Sequence, residues 1–138
     1  MSQKFRFNIP HDYALDLSIE PELEGMVYSG PNGSVSIGFE NLDKQSISDS
    51  IQSFFDCLES RHEIITPVSM TKMSGLSGSS CRYVVGDDHY YTEIELYIDV
   101  PDARLPVDTL SLILRADSLA HLHALEHDLN LPYLIDVC

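Results

Sequence analysis

Ten residues from Tyr91 to Val100 alternate between apolar and polar side chains, and this pattern constrains the fold more than any other feature of the chain. The apolar side chains belong to Ile94, Leu96, Ile98 and Val100. On the other side lies a set that we call the acidic row, which consists of Glu93, Glu95, Tyr97 and Asp99. Because successive side chains of a strand point to opposite faces, the pattern predicts one long β-strand with a packed face and an acidic, solvated face.

Shorter runs of the same alternation predict further strands. They cover residues 5–9, 15–19, 26–29, 34–39, 64–73, 81–85 and 110–115. Asn32-Gly33 favours a tight hairpin between the third and fourth of these strands. Pro67 cannot donate a ladder hydrogen bond, so it predicts an edge position or a bulge in its strand. Short connections between the later strands predict antiparallel neighbours.

Two segments predict helices. Residues 46–60 carry an apolar stripe at helical spacing, and Ser46 begins them with a sequence that resembles a capping box. Residues 118–130 follow Asp117 and Ser118, either of which can cap the helix. The inner stripe of this second helix consists of Leu119, Leu122, Leu125 and Leu129.

The predicted fold is α+β, with a single domain that spans residues 1–138. It contains an antiparallel sheet of about five to seven strands. Helices near 46–60 and 118–130 cover the apolar face of this sheet, in an arrangement like an α/β/α sandwich.

The charge balance excludes two classes of partner. The chain has 22 acidic and 8 basic residues, which gives a net charge of −14. Such a field repels phosphate backbones and anionic lipids, so we expect neither nucleic-acid nor membrane binding. The acidic surface is suited to a basic protein partner or to cations, although a solvated surface that keeps the protein soluble is the more ordinary interpretation.

The cysteines and the N-terminal segment predict a cytoplasmic protein. The three cysteines are widely spaced, and they are Cys57, Cys81 and Cys138. An odd number without a CxxC pair is a poor disulfide framework and a poor zinc site, so reduced thiols are the simplest account. Residues 1–10 alternate polar and apolar side chains, which is not the pattern of a signal peptide.

One motif points to metal chemistry. His123, Glu126 and His127 spell H-x-x-E-H, in which two imidazoles bind zinc and the carboxylate activates water. The pattern needs a third protein ligand well downstream, and only eleven residues follow His127. More distant candidates for that ligand are His11, His62 and His89. A polar helix flank with imidazoles in water is the alternative interpretation.

The acidic row has two interpretations of its own. Paired carboxylates perform acid–base chemistry when their environments differ, but nothing in the sequence marks these carboxylates as buried. Arg82 and Arg115, if they lie on adjacent strands, would pair with them across the sheet. We therefore interpret the row as a solvated or salt-paired face, and as the candidate surface for a basic partner.

Other segments carry no catalytic signal. Gly75 to Ser80 is interpreted as a flexible hairpin turn, because it lacks the Lys-Ser/Thr end of a phosphate loop and leads into no helix. Cys57 and Cys81 are interpreted as small residues of the core or its border. We predict no catalytic residue and no cofactor.

The order of elements resembles the PsbP-like fold group, small α/β/α sandwiches that include DcrB-like bacterial proteins. The matching features are Phe5-x-Phe7-x-Ile9-Pro10, the capped helix at 46–60 after a hairpin, Gly75-Leu76-Ser77-Gly78, and the closing strand–helix pair. The usual aromatic residue after the opening proline is at best Tyr13. The resemblance implies a non-catalytic accessory subunit, an adaptor, or a chaperone that holds an apolar segment of a client. Many members are exported or lipid-anchored, and this chain shows neither signal.

Three hypotheses follow. The leading one is a cytoplasmic, non-catalytic interaction module that binds a basic surface or an apolar segment of a protein partner through an acidic sheet face or an edge. The alternative is a metal-dependent hydrolase that uses His123, Glu126 and His127. The third is a homodimer in which an edge strand at residues 64–73 pairs across a two-fold axis.

Overall fold

The computed structural model describes residues 5–15, 26–40, 56, 63–73, 75–86, 88–97 and 109–137. Most of these residues belong to nine strands, an α-helix and a short 3-10 helix. The strands are β1 (Phe5–Phe7), β2 (Ala14–Leu15), β3 (Met26–Gly30), β4 (Gly33–Glu40), β5 (Glu63–Met73), β6 (Leu76–Val85), β7 (His89–Tyr97), β8 (Thr109–Ala116) and β9 (Ile135–Val137). Helix α1 spans Leu119–Leu129, and the 3-10 helix spans Leu131–Tyr133.

Seven strands form one antiparallel sheet in the order β2-β3-β4-β8-β7-β6-β5. This sheet confirms the predicted α+β class. The long strand β7 spans His89–Tyr97, and residues 98–100 of the predicted strand lie outside the described residues.

Helix α1 packs against one side of this sheet, which we call the helix face. Three alternate leucines of strand β8 lie on this face, and three leucines of the helix pack in the same core. All six are buried, and they are Leu110, Leu112, Leu114, Leu122, Leu125 and Leu129. Burying one such side chain stabilises the fold by roughly 1.5–3 kcal/mol, so this contact fixes the helix on the sheet.

Both ends of α1 are capped, and the N-terminal cap is Ser118, one of the two predicted residues. The Ser118 hydroxyl accepts a hydrogen bond from the backbone N–H of His121 at 3.1 Å. Asn130 ends the helix with φ of 50°, and its N–H donates to the His127 carbonyl at 3.1 Å. Asparagine is one of the few residues that adopt this left-handed conformation readily. No helix within the described ranges is long and apolar enough to cross a membrane.

The predicted helix at 46–60 lies outside the described residues except for Asp56, which is helical and exposed. The second helical layer of an α/β/α sandwich therefore stays a prediction.

The prediction of a flexible turn from Gly75 to Ser80 is wrong. Leu76 already begins β6, so the turn is confined to the segment around Gly75, whose φ is 83°. Gly78 within this strand lies where two strands approach closely. A Cβ at Gly78 would lie only 1.7 Å from the backbone oxygen of Glu95 on β7.

The two ends of the chain form a second, two-stranded sheet. Strand β1 pairs antiparallel with β9, with Phe7 opposite Ile135. The Arg6 guanidinium bonds the Asp136 carboxylate at 3.0 Å across this pair. The sequence predicts the first of these strands but not β9, because three residues are too few to show a period.

Candidate functional site

The acidic row lies on the side of the sheet away from α1, which we call the opposite face. Glu93, Glu95 and Tyr97 are half-buried there, and Asp99 lies outside the described residues. The Tyr83 hydroxyl donates a hydrogen bond to Glu93 Oε1 at 3.0 Å, and the Tyr97 hydroxyl lies 3.4 Å from Glu95 Oε2. Both carboxylates therefore have tyrosine partners.

The residues around the row are packed. Several small polar side chains of the opposite face are buried, namely Ser79, Thr109 and Ser111. The Tyr83 ring stacks on Tyr91 with centroids 5.1 Å apart, a favourable offset geometry. Burial raises the pKa of Tyr83, and the charge of Glu93 raises it further, so the phenol stays a donor. The row thus belongs to a packed, hydrogen-bonded face and is less solvated than predicted.

Cys81 is a buried free thiol on this face. Burial raises its pKa to about 12, and the nearby Glu93 carboxylate adds to the effect. A thiol with this pKa stays protonated at neutral pH and is a poor nucleophile. The predicted role of Cys81 as a small core residue fits this environment, and Cys57 lies outside the described residues.

Arg82 does not pair with the acidic row, so that part of the prediction is wrong. It lies opposite Thr92 in register and points to the helix face, where its guanidinium bonds Glu126. Arg115 does lie on the opposite face, in register with Tyr91. Strand alternation explains why Arg82 misses the acidic row. Glu93 lies opposite Cys81, the neighbour of Arg82 in β6, and adjacent side chains of a strand point to opposite faces.

The Arg82–Glu126 pair joins the sheet to the helix. The guanidinium Nε and Nη2 atoms each lie 2.8 Å from a Glu126 oxygen, and the Thr92 hydroxyl donates to Glu126 Oε1 at 2.5 Å. The side chains are 32% and 13% exposed for Arg82 and Glu126. Burial alone would raise the pKa of Glu126, but the hydrogen bonds from Arg82 and Thr92 outweigh it and hold this pKa below its usual value.

The position of Glu126 was visible in the sequence, at the border of the leucine stripe. A carboxylate there faces the sheet and needs a partner, but periodicity does not say which strand supplies it. The pair is therefore a site that sequence reasoning missed.

The same contact bears on the metal hypothesis. His123 and His127 are exposed, whereas the Glu126 carboxylate is held by Arg82. Among the described residues, no group of three or more His, Cys, Asp or Glu side chains is placed to hold a metal ion. His62 lies outside those residues, and the hydrolase hypothesis stays a prediction.

Tyr13 has a structural role in the fold. It is buried, and its hydroxyl donates to Asp128 Oδ2 at 2.9 Å, while the Asn32 side chain donates to the same oxygen at 2.6 Å. Burial raises the pKa of Tyr13 to about 12, and Asp128 adds to this effect. The cluster fastens the β3–β4 turn to α1.

An open cleft of about 340 Å³ lies between the β3–β4 turn and the start of α1. Arg115 and His121 line it together with Asp88 and Asp117. The Asp117 carboxylate lies 2.5 Å from His121 Nδ1. Since the lining mixes both signs of charge, it favours no single class of ligand.

Strand β5 forms one edge of the seven-stranded sheet. It pairs with β6, and no other described strand pairs with its outer side. Register irregularities between Ile64 and Ser69 surround Pro67, which confirms the predicted edge position and bulge. Among the β5 side chains that the structure describes, two large apolar ones are exposed, Ile65 at 36% and Met70 at 59%.

The hairpin of β5 and β6 also differs in charge from the rest of the chain. After Glu63, the first residue of β5, residues 64–86 contain no Asp or Glu, but they include Lys72 and Arg82. All 22 acidic residues therefore lie outside a stretch of 23 consecutive positions. Glu126 compensates Arg82, and the hairpin forms a nearly neutral edge on a strongly acidic protein.

Comparisons with known proteins identify a similar fold but no family. No protein-family model matches the chain, and no curated protein matches it. Among solved structures, the chain is similar to LpqN of Mycobacterium tuberculosis, which is described as involved in cell envelope biogenesis. The two share 16% identity with a TM-score of 0.58, over 99% of this chain and 84% of LpqN. The chain therefore shares an α+β fold with LpqN, and no family model confirms the narrower PsbP-like resemblance.

Proposed function

We propose that this protein is a non-catalytic interaction module that binds an extended segment of a protein partner along the outer edge of β5. The observation that carries the proposal is this edge. Eleven residues from Glu63 to Met73 form the last strand of the sheet, without a further strand beyond it in the described part of the chain. A peptide that adds to such an edge gains main-chain hydrogen bonds, and its alternate side chains meet the side chains of the sheet.

Two further properties favour this edge. The exposed side chains of Ile65 and Met70 offer apolar surface to a partner. The absence of Asp and Glu from residues 64–86 removes local repulsion for a segment that carries acidic residues. Elsewhere the net charge of −14 disfavours such a segment.

Fold similarity supports only the general part of the proposal. LpqN is involved in cell envelope biogenesis, and an accessory, non-catalytic role for this chain is our proposal by analogy. A cytoplasmic location and a single domain over residues 1–138 stay predictions.

The acidic row is the second candidate surface. Glu93 and Glu95 keep part of their surface exposed on neighbouring positions of a central strand, and a basic partner would complement them. Their hydrogen bonds with Tyr83 and Tyr97 would hold the carboxylates in place for such a contact.

An experiment that compares partner capture by variant proteins distinguishes the β5 edge from the acidic row as the binding surface. Ile65→Lys with Met70→Lys places two cations on the edge, which is how natural edge strands resist pairing. We expect this variant to lose a partner that the wild type captures by photo-crosslinking from a probe beside the edge. Leu15→Lys is the matched control, since Leu15 is 45% exposed at the other end of the same sheet.

Each alternative outcome contradicts the proposed edge. If only the Glu93→Lys, Glu95→Lys variant loses the partner, the binding surface is the acidic row. Absence of any specific partner for the wild type would contradict an interaction role. If light scattering shows a wild-type dimer and a monomeric edge variant, β5 pairs with a second copy, as the third hypothesis states.

A further inference from the structure

The outer edge of β5 is regular over only part of its length. From Ser69 to Met73 each residue lies opposite one residue of β6, whereas the register is irregular between Ile64 and Ser69. In an antiparallel pair, every second residue turns its backbone N–H and C=O groups away from the neighbouring strand. A further strand can therefore pair with the regular segment, while the irregular register hinders pairing before it.

Two side chains of this regular segment lie on the same face of the sheet. Met70 lies in register with Ser79, which in turn lies opposite Glu95 of the acidic row. Lys72 is two positions further along β5 and therefore also lies on the opposite face. Both side chains are exposed to solvent, so a strand that pairs with the edge can contact them.

Lys72 is a cation without a partner in the described part of the chain. No hydrogen bond or ion pair there involves its ammonium group. Residues 64–86 contain no Asp or Glu, so the β5–β6 hairpin itself supplies no anion for it. The complementary group at this position is an acidic side chain of a partner.

Repulsion from the acidic row is weak at this edge. Strands β6 and β5 separate the edge from β7, which carries the row. Neighbouring strands lie about 4.8 Å apart, so a strand added beyond β5 would lie about 14 Å from β7. Exposed charges more than about 8 Å apart are largely screened at physiological ionic strength. A side chain directly opposite Lys72 would have its Cβ only about 5 Å from that of Lys72, so this local pair dominates.

We propose that the segment bound at β5 carries an acidic side chain opposite Lys72 and an apolar side chain opposite Met70, an inference that rests on the proposed β5 interface. Because both positions lie on one face, the two side chains are two residues apart in the partner. A second copy of the regular segment, Ser69–Met73, contains no acidic residue. Lys72 therefore favours a different protein over the pairing of β5 with itself.

Two synthetic heptapeptides, blocked at both termini, test this partner chemistry. The acidic peptide is Thr-Val-Thr-Glu-Thr-Val-Thr, in which a valine lies two positions from the glutamate on both sides. Met70 therefore meets a valine whether the added strand is parallel or antiparallel to β5. The basic peptide has lysine in place of the glutamate.

Titration of the ¹⁵N-labelled protein at constant ionic strength measures the binding of both peptides. We expect the acidic peptide to shift the backbone amide signals of Met70, Thr71 and Lys72 with a saturable curve. It should bind at this edge about fivefold more tightly than the basic peptide. Net charge alone predicts the reverse order, because a protein with a charge of −14 attracts the basic peptide.

Lys72→Glu exchanges the charge at the edge. It should reverse the preference, so that the basic peptide binds about fivefold more tightly than the acidic one. Arg115→Glu is the matched control, because it changes the net charge equally at an exposed position of β8, inside the sheet. This control should keep the preference of the wild type. Unfolding curves establish that both variants are folded.

The outcomes distinguish the partner chemistry from the interface itself. Equal binding of both peptides at β5, or an unchanged preference in folded Lys72→Glu, would overturn the acidic partner and leave the β5 interface in place. Absence of saturable shifts at β5 with either peptide would contradict both. A wild-type dimer that Ile65→Lys with Met70→Lys dissociates would identify a second copy as the occupant, and this result would also overturn the acidic partner.

Discussion

Ser79 carries a buried hydroxyl on the opposite face, for which no partner exists within the described residues. Burying a hydroxyl without a hydrogen bond costs about 1–3 kcal/mol. We therefore expect Ser79→Ala to raise the free energy of unfolding by about 1 kcal/mol in urea denaturation. Ser36→Ala is the control at a half-buried position. A loss of stability in Ser79→Ala would show that the hydroxyl has an essential partner.

Glu126 predicts a pH-dependent contribution to stability. Its folded pKa is lowered, so the stabilisation is complete above the unfolded value of about 4.3 and is lost as the pH falls through the folded pKa. Glu126→Gln should reduce the free energy of unfolding by about 2 kcal/mol at pH 7. Urea unfolding between pH 7 and pH 3 should show this difference shrinking below about pH 4. A difference that stays constant with pH would exclude the ion pair as its cause.

At the scale of residues, the sequence predicts the local roles of several side chains but not their distant partners. The capping role of Ser118 and the bulge near Pro67 depend on local backbone chemistry, which a short stretch of sequence contains. The partner of Arg82 depends on strand register, which only the assembled sheet defines. This is why a contact 44 positions apart, from Arg82 to Glu126, was not predicted.

At the scale of the elements, the pairing of β6 with β7 requires glycine at position 78. Gly78→Ala would place a Cβ 1.7 Å from the Glu95 backbone oxygen and force β6 and β7 apart. We expect a loss of about 3 kcal/mol in the free energy of unfolding, at the upper end of overpacking costs, measured by thermal and urea denaturation.

Gly75→Ala is the matched control in the adjacent turn. A Cβ there meets no atom within 4 Å, and the φ of 83° is the only strain. The expected loss is about 1 kcal/mol. Equal losses in the two variants would mean that backbone strain, not the close approach of β6 and β7, sets the requirement for glycine.

The elements that sequence predicted correctly are those with a sustained period. Alternation in β7 and the leucine stripe of α1 both extend over enough residues to distinguish strand from helix. The first half of β6 was interpreted as a turn because Ser and Gly are common in turns. In this strand Gly78 instead permits the close approach of β6 and β7.

At the scale of the whole molecule, strand β9 contributes its first residue, Ile135, to the hydrophobic core. Ile135 is fully buried, as is Leu134 before it. Ile135→Ala should lower the free energy of unfolding by about 2–5 kcal/mol in urea denaturation. Asp136→Ala changes an exposed side chain of the same strand and should leave stability nearly unchanged. Similar stability of both variants would contradict the role of β9 in the core.

Topology at this scale was only partly predictable. Short connections correctly indicated antiparallel neighbours from β5 to β7. The position of β8 between β4 and β7 was not predicted, because it brings together strands that are distant along the chain.

The pairing of β1 with β9 has a consequence for the order of folding. Arg6 and Asp136 are 130 positions apart, so their contact closes a loop of nearly the whole chain. Such long closures are entropically unfavourable until other contacts have shortened the path between the ends. During synthesis β1 therefore cannot pair until β9 has been made, while hairpins such as β6–β7 can form early. We expect backbone amides of β1 to exchange with deuterium before those of β7, because the last pairing to form is also the first to open.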